Sequence, residues 1–261
     1  MAGERSERGA MEGERGGVSI ERVAIIIFVY RIRTRELYTN KMLLIITRNK
    51  PDNVNKLAAL YDTLTSRQIP YKIARKCDPA ITRRTDICGL IFPGAKNRIH
   101  PEEPQSALEL ELYYLFHFPK LPVLGICHGC QFLITYYGGD LISYDSYWNK
   151  NVNAELSGHP IFRCKEDTRK LDVYVYFHEL PVVTPRAKKA GVREIAWFTE
   201  FRDGRRRAAA FEFEKGRVYG FMFHPEAKKE TYPILYNFYD NVCMASSSSA
   251  ASSAASSSAA S

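Results

Sequence analysis

The chain has 261 residues, of which 45% are hydrophobic, and a formal net charge of +8. Its six cysteines stand at irregular spacing, which argues against a disulfide framework and favours a reducing environment. The apolar run at 23–30 is too short to span a bilayer, so we expect a soluble, cytoplasmic protein with one sizeable core and no membrane partner.

The positive charge permits anionic partners but does not require them. Its densest run, Arg205-Arg206-Arg207, follows Asp203-Gly204, and no aromatic residues are interleaved with it. We interpret this segment as the solvated tip of a hairpin and expect no nucleic-acid partner.

Both ends of the chain have a biased composition. Residues 1–22 are charged and glycine-rich, and every residue from Ala245 to Ser261 is Ala or Ser. Neither end supplies a hydrophobic core, although residues 23–32 resemble an additional strand. We therefore predict a largely disordered extension at 1–41, one folded domain at 42–243 and a low-complexity tail at 244–261.

The first half of that domain alternates between strand and helix patterns. Strands are predicted at 42–47, 71–75, 88–92 and 121–126, with helices near 52–67 and 104–117. The helical faces are carried by Val54, Leu57, Leu60, Tyr61 and Leu64 in the first helix and by Leu108, Leu112 and Leu115 in the second. This alternation predicts a parallel sheet covered by helices on both faces.

The later part of the domain has strand patterns alone. Segments 194–201, 207–214 and 217–223 are joined by turn signals at Asp203-Gly204 and Lys215-Gly216. The predicted fold is an α/β three-layer sandwich with a mainly parallel sheet and a late antiparallel meander.

A cysteine stands at the centre of the most informative segment, Gly125-Ile-Cys-His-Gly-Cys-Gln131. The apolar run 121–124 precedes it and a helical pattern at 131–137 follows, which predicts a strand, a sharp turn and a helix. Glycines at 125 and 129 suit a tight turn around a nucleophile, and a helix N-terminus favours the thiolate of Cys127.

A second polar group follows a later apolar strand, as His224-Pro225-Glu226. A histidine and a carboxylate two residues apart at a rigid strand end are suited to act as a base and the group that orients it. Together with Cys127 they form a candidate nucleophile, base and acid.

These two motifs, Gly-x-Cys-x-Gly-x-Gln and Phe-His-Pro-Glu, resemble those of the class I (triad) glutamine amidotransferases. The resemblance covers roughly Met42 to Asn241 and extends to the glutaminase domain of GMP synthetase-like enzymes. It implies a flavodoxin-like strand order. It also implies that Cys127 forms a γ-glutamyl thioester, that His224 transfers protons and that Glu226 orients the imidazole.

The resemblance implies further site residues. Backbone N–H groups of Gly94 and His128 would form the oxyanion hole, and Gln131 would help to hold the substrate glutamine. Neither a cofactor nor a metal is expected. The motif Cys127-x-x-Cys130 is also found in redox and zinc sites. No second cysteine pair accompanies it, so we expect Cys130 to pack beneath the helix. We interpret His178 as structural.

The sequence is compatible with three functions. The first is a glutaminase that releases ammonia from L-glutamine for a separate synthase subunit. The second is a stand-alone hydrolase or peptidase acting on another γ-glutamyl compound, because no synthase pattern follows Asn241 and bulky Phe92 replaces a glycine typical of the oxyanion loop. The third is a non-catalytic relative, against which the complete set of Cys127, His224 and Glu226 argues.

Overall fold

The computed structural model describes residues 41–48, 57–95, 99, 108–163, 169–199 and 205–246, except for the side chains of 144–147. The predicted strand at 23–32, the turn at 203–204 and most of both predicted terminal segments lie outside these ranges. Within them, no helix is long and apolar enough to cross a membrane.

One nine-stranded sheet organises the described residues, in the order β2-β1-β3-β4-β9-β8-β7-β5-β6. The strands are β1 (Met42–Ile46), β2 (Tyr71–Ala74), β3 (Ile87–Phe92), β4 (Val123–Ile126), β5 (Asp140–Leu156), β6 (Lys170–Val182), β7 (Arg193–Phe198), β8 (Arg207–Phe213) and β9 (Val218–Phe221). The first five in spatial order pair in parallel and the remaining pairs are antiparallel. The predicted fold class and its flavodoxin-like order are thereby confirmed.

The helices of the described residues are short. They are α1 (Ala58–Ser66), α2 (Pro79–Thr82), α3 (Glu109–His117), α4 (His128–Tyr136), α5 (Pro185–Lys189) and α6 (Tyr232–Asn237). One stretch of π-helix, Phe238–Cys243, continues α6. The predicted helices near 52–67 and 104–117 correspond to α1 and α3, and their predicted first turns lie outside the described ranges.

The burial pattern of each strand depends on whether one or both of its faces are covered. All six residues of β3 are buried, as expected for a parallel strand covered on both faces. In β6 the burial alternates instead, with Leu171, Val173, Val175 and Phe177 turned toward the core. This period of two leaves one face of β6 partly open to solvent.

The long antiparallel hairpin of β5 and β6 was not predicted. Twelve residue pairs join the two strands, from Asp140 opposite Val182 to Glu155 opposite Lys170, with an irregularity between Ser143 and Trp148. Polar residues throughout β5 obscured its strand pattern in the sequence. The hairpin matters for function because β6 reaches the end of β9, where Val175 and Phe223 form an isolated bridge.

Helix α3 differs from its predicted apolar face. Leu108 is buried, but Leu112 and Leu115 are only partly buried against the core. The buried residues of α3 are Leu110, Glu111 and Tyr114. A carboxylate therefore occupies a core-facing position of this helix.

Candidate active site

Cys127 lies at the carboxyl end of β4, directly before α4. Its backbone has φ 51° and ψ −103°, a left-handed conformation that is strained for a residue with a side chain. Such strain at a strand-to-helix turn is the geometry of a nucleophile elbow, which presents the side chain at the edge of the sheet. The predicted strand, turn and helix are confirmed here.

The two glycines of the elbow are required by close packing. A Cβ added to Gly129 would lie 2.0 Å from the carbonyl oxygen of Phe92, and one added to Gly125 would lie 2.5 Å from the carbonyl oxygen of Gly129. Both contacts are with backbone atoms, which have little room to move. The glycines therefore allow α4 to start against the end of β3.

His224 follows β9, the strand next to β4, and so lies at the same edge of the sheet. Its Nδ1 is 2.8 Å from Oε1 of Glu226. Its backbone N–H donates to the carbonyl oxygen of Tyr174 on β6, at 2.9 Å. Glu226 is 5% exposed, so little water can reach its contact with the imidazole.

The pKa of His224 reflects opposing influences. Burial lowers it, but the Glu226 carboxylate and the neighbouring Cys127 sulfur outweigh burial and raise the pKa well above its ordinary value. Nε2 is buried and has no hydrogen bond of normal geometry within the described ranges, so the neighbouring sulfur influences the ring through its charge. The imidazole is thus held at one nitrogen and available at the other.

Gly94 lies beside both groups. A Cβ at this position would be 2.9 Å from Cε1 of His224 and 3.7 Å from Cβ of Cys127. These three residues and Glu226 line one cavity of about 330 Å³, together with Tyr174 and Tyr176. The loop after β3 is therefore close enough to contribute backbone donors to a group bound at Cys127.

Tyr176 was missed by sequence reasoning. The Cys127 thiol donates to its carbonyl oxygen at 3.2 Å, and its side chain is an exposed aromatic group at the cavity. The contact is made by backbone from a strand 49 residues away, so no local motif marks it. In this structure the hydrogen-bond partner of the thiol therefore lies on β6.

Gln131 does not line the cavity. It is buried in α4, and its side-chain amide donates to the carbonyl oxygen of Glu179 at 2.9 Å. The residue is absent from the cavity lining formed by the described residues. Its contact ties α4 to β6, while its role in holding glutamine stays a prediction.

The other residues singled out from the sequence, Cys130 and His178, lie outside the cavity lining formed by the described residues. Cys130 is fully buried, with its sulfur 2.8 Å from the position of a Cβ on Gly220 of β9, and burial raises its thiol pKa well above the ordinary value. His178 is half-buried on β6. No group of three or more metal-ligating side chains occurs in the described ranges.

Residues 54–242 match the family model described as glutamine amidotransferase class-I, which is well over half of the chain. The chain belongs to this family. The resemblance that the cysteine and histidine motifs indicated is thereby confirmed.

Among curated relatives, the GMP synthase (glutamine-hydrolyzing) of Borreliella burgdorferi strain N40 is 29% identical over 168 residues, which is 62% of this chain and 29% of that protein. The GMP synthase of Borrelia garinii subsp. bavariensis is 26% identical over 224 residues, covering 80% of this chain and 39% of the relative. The amidotransferase chain thus spans well under half of these relatives' length.

Solved structures share its fold. A putative GMP synthase subunit from Thermoplasma acidophilum superimposes with a TM-score of 0.61 at 16% identity, covering 81% of this chain and 96% of that one. A glutamine amidotransferase from Thermotoga maritima gives a TM-score of 0.56 at 17% identity, covering 77% and 84%. At these identities the likeness concerns architecture alone.

Proposed function

We propose that this amidotransferase hydrolyses L-glutamine with Cys127 as nucleophile, His224 as proton-transfer group and Glu226 as the residue that orients His224. The observation that carries the proposal is the arrangement at the ends of β4 and β9. A strained cysteine and a carboxylate-bound imidazole share one cavity there, and the imidazole pKa is raised. This arrangement suits covalent catalysis on an amide.

The first step forms a bond between the sulfur and the side-chain carbonyl carbon of glutamine. The thiol proton turns from the Tyr176 carbonyl to His224 Nε2, and the imidazolium then gives a proton to the departing nitrogen, so ammonia leaves. A γ-glutamyl thioester remains on Cys127. Water, deprotonated by His224, attacks this thioester and releases glutamate and the free thiol.

Charge develops on the carbonyl oxygen during both steps. We assign its stabilisation to the backbone N–H groups of Gly94 and His128, which belong to residues flanking Cys127 in space and in sequence. Donors fixed by backbone need no reorganisation when the oxyanion forms, which makes them effective. Gln131 remains the candidate for orienting the substrate.

The ammonia would pass to a synthase that is a separate subunit in trans. This proposal is supported by relatives whose names describe them as glutamine-hydrolyzing GMP synthases and by the likeness to a putative GMP synthase subunit. We further propose that the protein acts in the cytoplasm. No cofactor enters the glutaminase step.

The direct test is ammonia release from L-glutamine by purified protein. Cys127→Ala is the test variant, and Cys130→Ala, a buried cysteine three residues along α4, is the matched control. We expect release by the wild type and the control and none by Cys127→Ala. If γ-glutamyl peptides are cleaved faster than glutamine, the stand-alone hydrolase is favoured instead. Equal release by the wild type and Cys127→Ala would contradict the proposed nucleophile.

A further inference from the structure

Tyr174 of β6 lies directly opposite His224. The bridge between Val175 and Phe223 is antiparallel, and one step along it pairs Tyr174 with His224. The backbone N–H of His224 donates to the carbonyl oxygen of Tyr174 at 2.9 Å, which fixes this register. Residues directly opposite in an antiparallel pair point to the same face, with Cβ atoms about 4.5–5.5 Å apart. The register therefore places the Tyr174 side chain beside the imidazole.

The rings of Tyr174 and His224 are close neighbours in the cavity at Cys127. Their centroids are 5.9 Å apart and their planes are inclined by 50°. Both residues line this cavity. The bond from Glu226 reaches the imidazole at Nδ1 alone, and one hydrogen bond fixes a distance more tightly than the tilt of a ring, because its angular range is broad. The Tyr174 ring closes one side of the imidazole and so limits that tilt.

The ring of Tyr174 is itself held at its far end. Its hydroxyl donates to Oδ1 of Asn149 on β5 at 2.6 Å. Asn149 is paired with Tyr176, so it lies diagonally across the hairpin from Tyr174, within reach of an aromatic side chain. The strand backbone and the hydroxyl therefore fix the two ends of this ring.

We propose that Tyr174 is a positioning residue, which keeps the His224 imidazole directed at the sulfur of Cys127, and that Asn149 holds Tyr174 in place. The inference rests on the proposed glutaminase function. Misalignment of a proton-transfer group slows the steps in which protons move, so it lowers kcat more than it raises KM. A residue that only shaped the cavity around the substrate would change KM instead.

The first test compares Tyr174→Leu and Tyr174→Phe with Tyr113→Leu. The control also removes a tyrosine ring beside a histidine, 4.3 Å from the ring of His117 on α3, and Tyr113 is not in the cavity lining formed by the described residues. We expect Tyr174→Leu to lower kcat for glutamine by about 10-fold, with KM within about twofold. Tyr174→Phe keeps the ring and should lower kcat by only about threefold. Tyr113→Leu should match the wild type.

The second test concerns the anchor at Asn149. Asn149→Ala should lower kcat by the same factor as Tyr174→Phe and should have no further effect in that variant, because both changes remove one contact. Asn151→Ala is the matched control, since Asn151 is also exposed on β5 and lies opposite Tyr174, whereas the hydroxyl contacts Asn149. Additive losses, or equal losses in the two asparagine variants, would overturn the inference.

A third readout needs no turnover of glutamine. Alkylation of Cys127 by iodoacetamide, followed by mass spectrometry of its peptide, reports how well His224 takes the thiol proton. We expect Tyr174→Leu to slow this reaction about fivefold. In His224→Ala, adding Tyr174→Leu should change the rate by less than about twofold, which separates alignment of the imidazole from access to the cavity.

The inference and the proposed function can fail separately. If the wild type hydrolyses glutamine but Tyr174→Leu keeps wild-type kcat and alkylation, or changes KM alone, the positioning role is overturned. A loss of alkylation that persists without His224 overturns it as well. A loss of alkylation that depends on His224, in a protein that releases no ammonia, supports the positioning role while contradicting the proposed function.

Discussion

Two histidine–glutamate pairs lie at opposite edges of the sheet, and they use the imidazole in different ways. At the carboxyl edge, Glu226 binds Nδ1 of His224 at 2.8 Å, and Nε2 faces the sulfur of Cys127. At the other edge, Nδ1 of His159 accepts from the N–H of Ile161, and Nε2 lies 3.4 Å from Glu212.

The two pairs also have opposite pKa shifts. The pKa of His224 is raised, because the carboxylate and the sulfur outweigh burial, whereas burial lowers that of His159 despite Glu212. Arg193 also pairs with Glu212 and so competes for its charge. One imidazole is prepared to carry a proton, and the other is held neutral with both nitrogens engaged.

Cavity size does not distinguish the two regions. The cavity beside His159 is about 390 Å³, larger than the 330 Å³ cavity at Cys127. What distinguishes them is the available imidazole nitrogen next to a strained cysteine. A histidine with a carboxylate neighbour is therefore a candidate base only when its second nitrogen faces a reacting group.

The largest expected difference is in activity. His224→Ala should lower kcat/KM for glutamine by about 10³-fold or more, because every proton transfer of the proposed reaction passes through this imidazole. His159→Ala should leave activity within about threefold and instead lower the free energy of unfolding by about 1 kcal/mol, the size of one lost helix cap. Ammonia release and chemical denaturation measure the two effects. Similar activity losses in both variants would remove the distinction.

Glu226→Gln should have the next largest effect. Without the carboxylate, the strongest influence that raises the pKa of His224 is lost while burial still lowers it, so the pKa should fall from its raised value. We expect kcat to drop by about 10²-fold, less than for His224→Ala, because the imidazole remains present. NMR titration of the His224 ring and steady-state kinetics provide the measurements. An unchanged ring titration would contradict the role given to Glu226.

Gly94→Ala, at the same edge of the sheet, should lower activity less than the two preceding variants. The new Cβ would lie 2.9 Å from Cε1 of His224, a ring whose position Glu226 fixes, so either the loop or the imidazole must shift by a few tenths of an ångström. We expect kcat/KM to fall by about 10-fold. Gly191→Ala is the control, since no described atom beyond its chain neighbours lies within 4 Å of its added Cβ, although its positive φ adds strain of its own. Wild-type kinetics in Gly94→Ala would show that the loop is not close to the reacting groups.

The smallest effect concerns stability and pH. The folded-state pKa of His159 is below that of the unfolded chain, so protonation favours unfolding, and this contribution to stability is lost as pH falls below about 6.5. His159→Gln removes that dependence. The difference in unfolding free energy between the wild type and the variant should therefore shrink as pH decreases from 7 through this range. A difference that is constant with pH would contradict the neutral assignment of His159.

The sequence allowed much of the carboxyl edge to be predicted because local chemistry determines it. Gly125, Cys127 and Gly129 specify an elbow through backbone sterics, and continuous apolar runs specify buried parallel strands. His224 and Glu226 are two residues apart, so their contact needed no long-range information.

Other features depend on contacts between distant segments and could not be predicted. Glu111 is buried because Arg48, 63 residues away, pairs with it, so α3 turns a charged position inward. The Tyr176 carbonyl reaches Cys127 because β6 pairs with the chain just after β9, through the bridge between Val175 and Phe223. The paired β5 strand is rich in polar residues, which concealed it from a pattern based on hydrophobicity.

The most direct test of the central claim is covalent labelling with a glutamine-derived chloroketone, followed by peptide mapping. The account predicts one stoichiometric adduct on the sulfur of Cys127 with loss of chloride. The adduct should be absent in Cys127→Ala, strongly slowed in His224→Ala and unaffected in His159→Ala. Labelling of Cys130 or Cys88 instead, or equal labelling rates in the two histidine variants, would contradict the assignment of Cys127 as a nucleophile served by His224.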